Sequence, residues 1–146
     1  MSKEVDILLV EDSPNDLELI LHSLRRHLPS ITIEVARDGE EALDFILRRG
    51  AHSNRPMSAP RLVLLDLKLP KIDGIDVLKE IRQNPETATI PVVVLTSSKE
   101  QRDIGASYRL HVNSYIQKPV DFDKFQETVR QLGLYWLLVN ETPASS

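Results

Sequence analysis

Acidic, hydroxyl and lysine side chains stand directly after four short apolar runs of this 146-residue chain. The positions concerned are Glu11 and Asp12, then Asp66, then Thr96 and Ser97, and finally Lys118. Carboxylate oxygens are the ligands that Mg²⁺ prefers in proteins, while hydroxyl, backbone N–H and ammonium groups can bind phosphoryl oxygens. If the fold brings these positions together, they would form a site for a divalent cation and a phosphoryl group.

The apolar runs have the composition of buried strands. The four runs cover residues 5–10, 62–65, 92–95 and 113–117, and residues 31–35 form a fifth. Segments with apolar residues at helical spacing follow each of the five. This alternation predicts an α/β three-layer sandwich, with five parallel strands flanked by five helices. In such sheets ligands bind outside the carboxyl ends of the strands, which is where the polar positions stand.

Electrostatic repulsion makes a bound cation a reasonable expectation for this edge of the sheet. Two carboxylates about 4 Å apart repel by roughly 4 kcal/mol at an effective dielectric constant near 20. Glu11, Asp12 and Asp66 would therefore need a compensating positive charge, which Mg²⁺ can supply together with Lys118. The hydroxyl of Thr96 and the backbone N–H of Ser97 would add neutral donors for a phosphoryl oxygen.

Composition excludes several other kinds of protein. The chain has no cysteine, so thiolate metal sites and cysteine catalysis are excluded. Its formal net charge of −4 gives no reason to expect nucleic-acid binding. No apolar run approaches the roughly 20 residues of a membrane span, and the charged first residues do not resemble a signal peptide. We therefore expect one cytoplasmic domain.

The motifs, taken together and in order, resemble the receiver domain of two-component response regulators. The matching segments are residues 8–13, 36–43, 64–70, 73–74, 91–97 and 115–119, and the resemblance extends from Ile7 to about Val139. It implies the flavodoxin-like strand order 2-1-3-4-5 and a receiver domain over residues 1–139. Residues 140–146 would then be a short tail, with no output domain.

This resemblance implies how a phosphoryl group would be received. Asp66 would be the phosphoacceptor, taking the group from a sensor histidine kinase, so that the protein is a signalling phosphoacceptor and not an enzyme. Asp12 and Asp66 would bind Mg²⁺ through their carboxylates and Lys68 through its backbone carbonyl, with Glu11 acting mainly through water. Lys118 would pair with Asp66 and later with the phosphoryl group.

The resemblance also implies a conformational switch. Thr96 would be drawn to the phosphoryl oxygens, and Tyr115 would turn inward as Thr96 moves. The peptide bond before Pro119 would be cis.

The end of the predicted last helix, residues 121–139, carries more apolar residues than one buried face needs. Its expected core stripe is Phe122, Phe125, Val129, Leu132, Trp136 and Val139, and the further apolar residues are Leu134, Tyr135, Leu137 and Leu138. A terminal helix that is apolar nearly all round predicts a protein interface, most simply a twofold homodimer. This region, with residues 48–60 and 111–115, resembles the response regulators paired with bacterial phytochromes.

Three other functions remain as alternatives. A Mg²⁺-dependent phosphohydrolase using an aspartyl-phosphate would commonly have a second Asp two residues after the nucleophile, where this chain has Lys68. A pseudo-receiver scaffold would usually lack the acidic pair, the acceptor Asp or the lysine, all of which are present. A flavodoxin-like nucleotide-binding protein would have a glycine-rich loop after the first strand, and none is found.

Overall fold

The centre of the molecule is a parallel sheet of five strands. The computed structural model describes residues 4–56, 58–119 and 121–141. The strands are β1 (Ile7–Val10), β2 (Ile33–Ala36), β3 (Leu62–Leu65), β4 (Val92–Thr96) and β5 (Ser114–Gln117). Their order is β2-β1-β3-β4-β5, and all four neighbouring pairs are parallel. The predicted fold class and strand order are confirmed.

Five helices cover the two faces of this sheet. They are α1 (Pro14–His27), α2 (Gly39–Ile46), α3 (Gly74–Gln83), α4 (Gln101–Arg109) and α5 (Phe122–Leu134). A 3-10 turn, Gly50–His52, lies between α2 and β3, and a π-helical turn, Tyr135–Val139, continues α5. No helix among the described residues is both long and apolar enough to cross a membrane.

Alternating strand residues form two separate hydrophobic layers, because successive side chains of a strand point to opposite faces. Leu8 and Val10 of β1 pack with α2 and α3 on one face. Ile7 and Leu9 of the same strand pack with α1 and α5 on the other. Because both faces are covered, the three inner strands β1, β3 and β4 are buried at every position, as expected for a parallel sheet.

The start of α1 follows β1 closely because Ser13 and Pro14 favour helix initiation there. Pro14 occupies the first helical turn, where its missing N–H costs no hydrogen bond. The hydroxyl of Ser13 accepts a hydrogen bond from the backbone N–H of Asp16 at 3.4 Å. The first turn of α1 therefore stays at the edge of the sheet where Glu11 and Asp12 stand.

A close backbone approach fixes the segment that follows β3. A Cβ atom on Gly74 would lie 2.5 Å from Leu67 Cα and 2.6 Å from the carbonyl oxygen of Asp66. Such distances are too short for any side chain without movement of the backbone. Glycine at this position thus allows the start of α3 to press directly on the segment that carries Asp66.

The end of the chain departs from the predicted helix. Phe125, Val129, Leu132 and Trp136 are buried as expected, but Phe122 and Val139 are 56% and 65% exposed, so their predicted core positions are wrong. Phe122 is the first residue of α5 and lies beyond the apolar layer. The π-helical turn has a longer period than an α-helix, so it buries Leu137 and leaves Val139 outside. Of the predicted tail, residues 142–146 lie outside the described residues.

Candidate functional site

The three predicted acidic residues meet at the carboxyl edge of the sheet. Carboxylate oxygens of Glu11, Asp12 and Asp66 all lie within 4.8 Å of one another. Glu11 and Asp66 are buried, whereas Asp12 is partly exposed. The site therefore has two buried carboxyl groups and one that is partly exposed, a set of oxygen ligands that suits a hard divalent cation.

Lys118 provides the positive charge of the site and reaches it from the end of β5. Its ammonium Nζ lies 2.9 Å from Asp66 Oδ2 and 2.7 Å from Glu11 Oε1. A third carboxylate oxygen, Oδ2 of Asp16, lies 2.8 Å from the same nitrogen. Asp16 was not among the residues predicted for the site. The signal that could have found it is its position in the first turn of α1, next to Glu11 and Asp12 at the same edge.

Neutral donors bind the other oxygen of Asp66. The hydroxyl of Thr96 donates a hydrogen bond of 2.7 Å to Asp66 Oδ1, and the backbone N–H of Lys68 donates one of 3.3 Å. Since Lys118 binds Oδ2, both carboxylate oxygens of Asp66 have partners. The carboxylate is held in one orientation by groups from β4, β5 and the segment after β3.

The buried charges shift one another's protonation equilibria. Burial raises the pKa of Glu11 to about 7, although the hydrogen bond from Lys118 opposes this rise. Burial also acts to raise the pKa of Asp66, but the hydrogen bond from Thr96 and the charge of Lys118 outweigh it, so the pKa lies below its ordinary value. Burial by itself would lower the pKa of Lys118, yet its bonds to Asp16, Glu11 and Asp66 hold that pKa above its usual range. Asp66 is thus the carboxylate kept ionised, and Glu11 the one that favours a proton.

Tyr115 is joined to the segment that follows Thr96. Its phenol donates a hydrogen bond of 2.9 Å to the carbonyl oxygen of Ser98, two residues after Thr96. The hydroxyl of Ser98 in turn donates to Asp103 Oδ2 of α4 at 2.5 Å. The ammonium of Lys68 lies 3.8 Å from the same carboxylate oxygen and is mostly exposed. A continuous set of polar contacts therefore joins the end of β4 to β5 and α4.

One expectation about the backbone is wrong. Among the described residues the structure has no cis peptide bond, so the bond between Lys118 and Pro119 is trans. The trans form is the more stable one for most X–Pro bonds. Pairing with β4 continues to Lys118, whose backbone N–H donates a 2.7 Å hydrogen bond to the carbonyl of Thr96.

Comparison with known proteins gives a consistent result. The family model of the response regulator receiver domain matches residues 7–130. A protein of Methanothrix harundinacea, described as a probable methanogenesis regulatory protein, FilR2, is 43% identical over 94% of this chain and 86% of its own length. The response regulator Rcp1 of Synechocystis is 42% identical over 95% of this chain and 93% of its own length.

Solved structures agree with these sequence matches. The Mn²⁺-bound form of Rcp1 superposes with a TM-score of 0.90 at 42% identity, covering 97% of this chain and 100% of the other. The phosphorylated cyanobacterial phytochrome response regulator RcpA has the same TM-score at 39% identity and the same coverage. The similarity therefore includes nearly the whole length of each protein.

Proposed function

Because this chain belongs to the response regulator receiver domain family, we propose that the carboxylate of Asp66 accepts the phosphoryl group. The observation that carries this assignment is the arrangement around Asp66. Its carboxylate is buried, ionised and held at one oxygen by Thr96 and at the other by Lys118. An ionised carboxylate is the form that can attack phosphorus, and its fixed orientation lowers the entropic cost of reaching the reacting geometry.

The proposed transfer uses a phosphohistidine of a sensor histidine kinase as donor. An oxygen of Asp66 forms a bond to phosphorus while the bond from phosphorus to the imidazole nitrogen breaks, and that nitrogen keeps the electron pair. Lys118 would neutralise charge on the phosphoryl oxygens, and the hydroxyl of Thr96 would donate to one of them. Catalysis in phosphoryl transfer rests mostly on such positioning and charge neutralisation.

A divalent cation completes the proposed site, and the side chains present fit one. The carboxylates of Glu11, Asp12 and Asp66 and the backbone carbonyl of Lys68 would hold it, and it would neutralise negative charge on the acceptor and the phosphoryl group. Burial is the main reason that the pKa of Glu11 is raised, and the nearby charge of Asp66 adds to it, so a bound cation would favour the ionised form of Glu11. We propose Mg²⁺ as the physiological ion, with support from the Mn²⁺-bound form of the relative Rcp1.

Phosphorylation is proposed to change the surface formed by α4 and β5. A phosphoryl group adds close to two negative charges and three acceptor oxygens beside Thr96. As the Thr96 hydroxyl leaves Asp66 for the phosphoryl group, the segment to Ser98 would move with it. Tyr115 is bonded to the carbonyl of Ser98 and would follow, so a local charge becomes a change in a protein-binding surface.

The partner that we propose is a phytochrome-type histidine kinase acting in the cytoplasm. The support is the likeness to RcpA, a cyanobacterial phytochrome response regulator. FilR2, which is described as a probable methanogenesis regulatory protein, is somewhat more similar in sequence, at 43% identity against 39% for RcpA. Phosphotransfer from a purified phytochrome kinase at a rate well above that from an unrelated histidine kinase would support this pairing, and equal rates would contradict it.

A twofold homodimer through the end of α5 is also proposed. Tyr135, Leu138 and Val139 are each at least half exposed and adjacent in the π-helical turn. We expect Leu138→Glu to lower the dimer fraction in analytical ultracentrifugation. Tyr108→Glu, which changes an exposed aromatic residue on α4, is the matched control. A Leu138→Glu variant with an unchanged sedimentation coefficient would contradict this interface.

The proposed acceptor can be tested by intact-mass spectrometry after incubation with acetyl phosphate. We expect wild-type protein to gain one labile phosphoryl group when Mg²⁺ is present and none when it is chelated. Asp66→Asn should gain none under either condition. Asp76→Asn, which neutralises an exposed carboxylate on α3, should behave as wild type. Labelling of Asp66→Asn to the wild-type level would show that another residue is the acceptor.

A further inference from the structure

Asp16 is bound to Lys118 as closely as the two acidic residues of the predicted site are. The distance from Asp16 Oδ2 to Lys118 Nζ is 2.8 Å, between the 2.7 Å of Glu11 and the 2.9 Å of Asp66. Yet Asp16 does not belong to the group of three whose oxygens could hold a cation together. Its side chain is about one-third exposed, so it stands at the opening of the site.

From this geometry we propose that Asp16 is a positioning residue for Lys118. The carboxylate of Asp16 holds the ammonium of Lys118 at the opening of the site, where it competes with the phosphoryl group for that ammonium. The proposal rests on the proposed function of Asp66. It assigns to Asp16 the role of limiting how readily the site takes up a phosphoryl group.

The number of donors on the ammonium gives the reason for competition. A lysine ammonium has three N–H donors, and Lys118 lies within 2.9 Å of three carboxylate oxygens. A phosphoryl oxygen can receive a hydrogen bond from Lys118 only if a carboxylate gives one up. The lysine side chain is 7% exposed, so little water is present to replace a lost partner.

The three carboxylates differ in what could replace Lys118. Glu11 and Asp66 belong to the proposed cation site, where a divalent ion supplies positive charge in place of the ammonium. Among the described residues, Lys118 is the only cationic partner found for Asp16. Asp16 is therefore the carboxylate that continues to hold Lys118 once a cation is bound, and it competes with the phosphoryl group for the position of the ammonium.

The position of Asp16 is fixed by its helix. Its backbone N–H donates to the hydroxyl of Ser13 in the first turn of α1, where a negative side chain is favoured by the helix dipole. The carboxylate is thus held beside the incoming phosphoryl group, which is itself negatively charged. Removing the charge of Asp16 should both release Lys118 and reduce repulsion of the donor.

Three single variants separate charge from structure. Asp16→Asn keeps the size of the side chain and an oxygen that can accept from Lys118, but it removes the charge. Asp16→Glu keeps the charge on a longer side chain. Glu18→Gln removes an equal charge from an exposed position of the same helix. Uptake from acetyl phosphate with saturating Mg²⁺ is followed by intact-mass spectrometry, and folding is checked by thermal unfolding.

We expect the rate constant of uptake to rise about threefold or more in Asp16→Asn, because one negative charge near the reacting group has gone. The rate constant of Asp16→Glu, which keeps the charge, should lie within about twofold of the wild-type value. Glu18→Gln should have the wild-type rate constant. A role in helix stability alone would not give this recovery by a charged side chain.

Other results would overturn the proposal in distinguishable ways. Uptake by Asp16→Asn equal to or slower than that of wild type would refute competition for Lys118. An equal acceleration in Glu18→Gln would show a general charge effect in place of a specific one. If wild-type protein itself took up no phosphoryl group from acetyl phosphate or from a kinase, the proposed function of Asp66 would fail first.

Discussion

Substitution of Glu11 by Gln should remove a large pH dependence of stability from the cation-free protein. Glu11 is 1% exposed, and burial raises its pKa from 4.5 to about 7. A carboxyl group with a raised pKa binds more protons in the folded than in the unfolded state between these two values. The free energy of unfolding therefore falls as the pH rises through this range.

The size of the effect follows from the same two pKa values. A difference of one pKa unit corresponds to about 1.36 kcal/mol. Integrated from about pH 5 to about pH 8, Glu11 should lower the free energy of unfolding by roughly 2–3 kcal/mol in the absence of cations. Saturating Mg²⁺ should abolish this loss, because a bound cation keeps Glu11 ionised in the folded protein at both pH values.

Urea unfolding at constant ionic strength measures this effect, with fluorescence of Trp136 as the signal. Trp136 is the only tryptophan of the chain and is buried against α1 and α5. The free energy of unfolding of Glu11→Gln is subtracted from that of wild type at each pH, which cancels the contributions of other titrating groups. Glu18→Gln serves as the control for loss of an exposed charge. A Glu11→Gln variant with the same pH dependence as wild type would refute a protonated Glu11.

Further substitutions test the contacts that support the site. Gly74→Ala should lower the free energy of unfolding by at least about 2 kcal/mol in urea titrations, because its Cβ would overlap Leu67. Arg82→Ala should lower the free energy of unfolding by about 3 kcal/mol. The Arg82 guanidinium donates hydrogen bonds to four backbone carbonyls, two in the segment before β4 and two in the segment after α4. Thr96→Val should lower the free energy of unfolding by about 1–3 kcal/mol at neutral pH, because an oxygen of Asp66 loses its hydroxyl donor. An unchanged urea midpoint in any of these three variants would contradict the contact concerned.

The sheet and its active edge could be predicted because their signals are local. The inner strands β1, β3 and β4 are short apolar runs, and polar residues mark their carboxyl ends, as at Asp66 after β3. Parallel topology then requires the marked ends to share one edge, so the meeting of Glu11, Asp12 and Asp66 needed no knowledge of distances. The same reasoning placed Thr96 and Lys118 at this edge, and the family resemblance implied that Lys118 pairs with Asp66. In the structure both side chains donate hydrogen bonds to Asp66.

The contacts that could not be predicted depend on packing between distant segments. Asp16 and Lys118 are 102 residues apart, and their ion pair requires α1 and the end of β5 to be placed side by side. The exposure of Val139 depends on a π-helical turn, which helical periodicity in the sequence does not reveal. The trans bond before Pro119 contradicts an expectation that came from family resemblance and not from the residues themselves.

The sequence by itself determined which chemistry is available at the sheet edge, because residue type and strand period are properties of short segments. Carboxylates, a hydroxyl and a lysine at strand ends suffice to predict a cation and phosphoryl site. Only the tertiary structure decided how the charges are shared. Burial raises the pKa of Glu11, whereas at Asp66 the hydrogen bond from Thr96 and the charge of Lys118 outweigh burial and lower the pKa. Both results depend on everything packed around the group. The division of Lys118 among three carboxylates likewise arises from the packing of α1 against the sheet.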